Sequence, residues 1–199
     1  MTAASGAPDA TRPLADPRPF LVLLAVALVA IGGLIWSLFR DPGLPAYVAE
    51  DYMRVAGGIV VAEHRTDDPA ALSATLAREL PGPAIAVPDL SASGYVLEGG
   101  RVYEVAGHPG VLAIYHNDLR DLLVYQAWHG SVDELPPTRD VRLRPHRTCY
   151  VFQKSTSTLV FWQDGPVVRV LTAGLPTEHV VKIAVQEAAP ADPPASSPS

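Results

Sequence analysis

Residues 94–115 read GYVLEGGRVYEVAGHPGVLAIY, and this stretch decides the fold. Its aromatic and β-branched residues, Tyr95, Val96, Val102, Tyr103, Val105, Val111 and Ile114, suit a pleated surface, and glycines punctuate them. Gly99-Gly100 reads as the centre of a hairpin or strand pair over Gly94–Val105. Gly107–Gly110 reads as the next turn, leading into a strand at Val111–Tyr115. Outward from there, Ile85–Val87 is a short strand upstream and Leu122–Trp128 a strand downstream. Cys149–Lys154, Thr158–Gln163 and Val167–Thr172 follow, the last two joined at the tight-turn dipeptide Asp164-Gly165.

Helical signals flank the strands. Tyr52, Val55, Ile59 and Val60 recur at spacings of three and four, which predicts a helix over Ala46–His64. Gly57-Gly58 weakens it, and Ile59-Val60-Val61 also reads as a strand. Asp67 or Asp68 caps a second helix. Pro69 sits just inside, Leu72, Leu76 and Leu80 follow at spacing four, and Pro81-Gly82-Pro83 closes it. A last helix is expected over Pro176–Gln186.

Ahead of these elements, residues 20–39 read FLVLLAVALVAIGGLIWSLF without a charge. As a helix they span roughly 30 Å, the thickness of a bilayer's hydrocarbon core. The expectation is an uncleaved transmembrane helix within residues 19–40. Residues 1–18 form a short disordered tail before it, and the Ala/Pro/Ser-rich residues 188–199 form another after the domain. Flanking Arg12 and Arg18 nearly balance Arg40 and Arg54, so charge barely sets the orientation.

The 199 residues are 48% apolar, with a net charge of −6 and no Lys/Arg block, so nucleic acid is not an expected partner. The single cysteine, Cys149, makes neither an intrachain disulfide nor a thiolate cluster. The six histidines show no metal-binding helix spacing, and no serine lies in Gly-x-Ser-x-Gly. No catalytic residue, metal ligand or cofactor is assigned. His129–Arg147 is a long polar connection, and long connections often carry contacts. The candidate partner-contact residues are Asp133, Glu134, Arg139, Arg142 and Arg144 from it, Gly99, Gly100 and Arg101 from the glycine turn, and Trp128, a large aromatic that either packs in the core or forms a partner patch.

Three runs together carry a family resemblance. They are Asp67-Asp68-Pro69-Ala70 with Leu76-Ala77 and Leu80-Pro81, then Val87-Pro88-Asp89-Leu90 with Gly94–Val102, then Gly107–Tyr115. Over roughly residues 46–187 the chain resembles the extracytoplasmic domain of transmembrane anti-sigma factors. That family usually begins with a zinc-binding helical domain marked by His-x-x-x-Cys-x-x-Cys. No cysteine precedes Phe20, so sigma binding and zinc ligands are not carried over. The resemblance implies a bacterial inner-membrane location, with the N-terminus cytoplasmic and the domain periplasmic or extracellular.

The expected architecture is α+β: a single N-terminal transmembrane helix, then a mostly antiparallel sheet over residues 41–187 with flanking helices on one face. The expected function is a membrane-anchored, non-catalytic interaction or sensor domain. It would touch lipid through Phe20–Phe39 and bind a protein in the membrane or periplasm. The alternatives are a small accessory subunit of a membrane complex and, third, an enzyme.

Overall fold

The computed structural model describes Ile31 and residues 43–144 and 147–186. The chain divides between Asp41 and Pro42, and the fold below is that of the second unit. Its helices are α1 (Leu44–Ala56), α2 (Pro69–Glu79) and α3 (Thr177–Gln186). Its strands are β1 (His64–Arg65), β2 (Val96–Val105), β3 (His108–His116), β4 (Leu122–His129), β5 (Val141–Arg144), β6 (Arg147–Lys154), β7 (Ser157–Asp164) and β8 (Val167–Ala173).

All eight strands form one antiparallel sheet in the order β1-β2-β3-β4-β8-β7-β6-β5. The order is symmetric about β4 and β8. Each half is a meander whose last strand lies at the centre, and the halves join where Leu123 faces Ala173 and His129 faces Val167.

The expectation of helices on one face is corrected. Val111, Ala113, Tyr115, Leu123, Tyr125, Val160, Trp162 and Leu171 pack on one side of the sheet with Leu72 and Leu76 of α2 and Val180, Val181 and Ile183 of α3. On the other side, α1 places Leu44 and Val48 in one cluster with Trp128, Leu159, Phe161 and Val170, and Tyr52 and Val55 in another with Leu112, Ile114 and Val124. A strand covered on both faces has no polar side to show, so β4 is buried from Leu123 to Trp128.

The transmembrane part of the expected architecture is also corrected. No helix among the described residues is long and apolar enough to cross a membrane. The described fold is therefore the sheet and its three helices, without a single-pass element. The expected span Phe20–Phe39 lies outside the described residues except for Ile31, as do the two expected tails.

Local signals explain most boundaries. Asp68, rather than Asp67, caps α2, accepting from Ala70 N at 2.8 Å and Ala71 N at 3.2 Å. Helix α1 stops at Ala56, eight residues short of the expected end. Gly58 turns left-handed at φ +70°, and Ile59 N closes on Arg54 O at 2.8 Å. Ile59 leaves the apolar stripe and is 72% exposed. Ile85–Val87 is not a sheet strand. It is part of an extended strap held by side chains: Tyr125 Oη donates to Ala86 O, Tyr115 Oη donates to Pro88 O, and Val87 N donates to Ser73 Oγ.

Candidate interaction surface

The connection His129–Arg147, expected to be a plain loop, holds two ordered elements. The first is a 3₁₀ turn, Val132–Glu134, capped by Ser131, whose Oγ accepts from Asp133 N while Glu134 reaches back to Ser131 N. The second is β5, which forms one edge of the sheet.

The register fixes what β5 shows to solvent. Val151 N donates to Asp140 O at 2.9 Å, just ahead of the pairs Val141↔Tyr150 and Arg142↔Cys149. Antiparallel bonding alternates from residue to residue. Arg142 and Arg144 therefore turn their backbone groups toward β6, and Val141 and Leu143 turn theirs outward. The side chains alternate too. Arg142 Nη1 meets Glu178 Oε1 of α3 at 3.0 Å, so the arginines lie on the α3 side. Val141 and Leu143 lie on the α1 side, 41% and 75% exposed. At the opposite edge, β1 is two residues long and pairs only with Gly99 and Gly100 of β2.

Charge concentrates here. Arg139, Arg142, Arg144 and Arg147 fall within nine residues with one acid, Asp140, in a chain of net charge −6. Arg142 is committed to Asp140 and Glu178. Arg147 donates to Ala184 O and lies 4.7 Å over the Trp162 ring. Arg139 and Arg144 are exposed and form no ion pair among the described residues.

The other candidate contact residues sit elsewhere. Gly99 and Gly100 are not a hairpin turn: β2 runs unbroken through them with a bulge between Leu97 and Gly99, and the turn is Ala106-Gly107. Both glycines are buried, because β1 crosses so closely that a Cβ on Gly99 would meet His64 O at 2.2 Å. Arg101 is half-buried, paired with Glu63 at 2.5 Å and stacked over Tyr103. Five strands separate β2 from β5, roughly 30 Å at normal strand spacing. Trp128 is fully buried between His108 and Phe161, which settles it as core. Glu134 reaches His108 at 3.2 Å, beside that tryptophan, and Asp133 is exposed on the same turn. Of the nine residues, Arg139, Arg142 and Arg144 share one surface.

A buried polar cluster under α1 has no counterpart in the sequence reading. Asp51 is 7% exposed. Its carboxylate accepts from Tyr103 Oη at 2.7 Å and from Gln126 Nε2 at 3.0 Å, with Arg54 at 3.8 Å. Burial raises the Asp51 pKa above the ordinary 3.8, against the opposing pull of Tyr103, Gln126 and Arg54. Burial and the nearby carboxylate push Tyr103 up to about 12. The cluster pins α1 to the central strands. The available signal was polarity out of place: Asp51 falls in the buried stripe of α1, and Gln126 is the one polar residue between Leu122 and Trp128. Among the described residues, no group of three or more His, Cys, Asp or Glu is placed to hold a metal ion.

No protein-family model matches the chain, and no curated protein matches it. A similar solved structure is a GTP-binding regulator from Thermotoga maritima, 14% identical, at a TM-score of 0.38 over 49% of this chain and 80% of that one.

Proposed function

We propose that the chain is a non-catalytic protein-interaction domain, akin to the extracytoplasmic domain of anti-sigma factors. Its contact surface is the segment Arg139–Arg144. The supporting observation is the β5 edge, where outward backbone groups, exposed Val141 and Leu143 and exposed Arg139 and Arg144 lie together. Protein interfaces draw on such combinations of apolar contact and arginine. An extracytoplasmic location belongs to this reading through the resemblance.

Site-specific photocrosslinking in cells tests it. A crosslinker at Leu143 is expected to trap a discrete partner. A crosslinker at Leu119, which is 82% exposed in the turn between β3 and β4, is expected to trap none. The same pattern at both positions, or no crosslink at Leu143, overturns the proposal.

A further inference from the structure

We infer that β5 binds an extended acidic–aliphatic segment of a partner protein as a ninth strand of the sheet; this rests on the interaction reading above and specifies its geometry. Three observations converge on this edge. The outward-turned residues, Val141 and Leu143, offer two N–H donors and two carbonyl acceptors to an incoming strand. The same two residues expose their side chains on one face, so every second residue of that strand meets an aliphatic surface. On the other face the alternating residues meet Arg144 and Arg142, the latter already paired with Asp140 and Glu178, and exposed Arg139 lies just upstream. A segment alternating aliphatic residues with glutamate or aspartate satisfies both faces.

Two competing explanations fit the edge less well. Charged side chains can protect an edge from unwanted pairing. A protected edge, however, does not expose a leucine to 75%. A second copy of the chain would bring Arg142 and Arg144 of one β5 against the same residues of the other, and like charges directly opposite are destabilising.

The test uses the full-length chain and a fluorescein-labelled seven-residue peptide alternating valine and glutamate, with a valine–lysine peptide as control. Anisotropy is expected to report saturable binding of the acidic peptide alone, weakening as salt rises. Leu143→Pro removes an outward N–H and no bond within the sheet, so binding is expected to disappear while the far-ultraviolet circular dichroism is unchanged. Arg144→Glu leaves the backbone intact and is expected to weaken binding about tenfold. Should Leu143→Pro fail to fold, this second variant carries the test. Equal binding of the two peptides, or full binding by Arg144→Glu, overturns the inference. Concentration-dependent dimerisation that Leu143→Pro abolishes also overturns it, in favour of a second copy. If crosslinking at Leu143 still traps a partner after such a result, the contact surface stands and strand addition alone is lost. If neither assay responds, both readings fall.

Discussion

Replacing Asp51 separates the two effects that meet in the buried cluster under α1. In D51A, Tyr103 Oη and Gln126 Nε2 lose their common acceptor. Each orphaned buried donor costs about 1–2 kcal/mol. Relief from burying a carboxylate, whose raised pKa shows that burial outweighs its partners, offsets part of this. The net expectation is a loss of about 2 kcal/mol, or roughly 4–8 °C in Tm for a domain of this size. D51N behaves differently. Its carbonyl still accepts from Tyr103. If the Gln126 amide turns over, Gln126 Oε1, which has no partner among the described residues, accepts from the new amide. D51N is therefore expected within about 1 kcal/mol of the wild type. Urea unfolding of the full-length protein, followed by tryptophan fluorescence, reads both variants through the midpoint at constant slope. An Ala variant as stable as the wild type, or an Asn variant as damaged as the Ala one, refutes the assignment of Asp51 as the shared acceptor.

The same carboxylate gives a pH dependence. Because its folded pKa is raised, its contribution is fully present below the ordinary 3.8 and is lost as pH climbs through the raised value. The stability of D51N relative to the wild type should therefore rise as pH climbs from below 3.8, and a flat difference in urea midpoints refutes this. Gly99→Ala puts a Cβ 2.2 Å from His64 O at φ +146°, so a loss of more than about 2 kcal/mol is expected, together with faster amide exchange at residues 63–65; a thermal melt matching the wild type is the contrary result. Asp68→Ala removes the cap of α2 and should cost about 1 kcal/mol by the same urea assay. Cys149 is fully buried, and burial pushes its thiol pKa up, so iodoacetamide should leave it unmodified in the native protein and alkylate it in urea; rapid native labelling contradicts its position.

What was legible in the sequence was local. Asp68, Pro69, Leu72 and Leu76 announce α2 because cap, first-turn proline and apolar spacing all act within eleven residues. The strands around residues 94–115 were legible as strands for the same reason. Gly99-Gly100 misled because a glycine pair signals a turn when only its neighbours are considered. The demand on Gly99 comes instead from His64, 35 residues away across the ladder. The segment Leu122–Trp128 shows almost no alternation, and that is the mark of a strand covered on both sides. Such a strand requires helices on both faces of the sheet. In the sequence Arg142 and Arg144 stand out only as charges within a polar connection. Only the pairing with β6 shows them alternating with outward-facing Val141 and Leu143. Trp128 is core because β4 lies near the middle of the sheet, and its rank among the strands is not written locally.

The symmetric strand order also governs when the fold can complete itself. Apart from β1 and β2, which α2 and the strap separate, neighbouring strands within each half are joined by short turns, so their contacts form between residues close in sequence and close early. The seam between β4 and β8 is different, because Leu122–His129 must wait for Val167–Ala173. During synthesis the most apolar strand of the first half keeps an open edge until nearly the whole domain has been made. The second half therefore acts on the first as a late-arriving cover, and the chain is most exposed to wrong pairing just before its last strand appears.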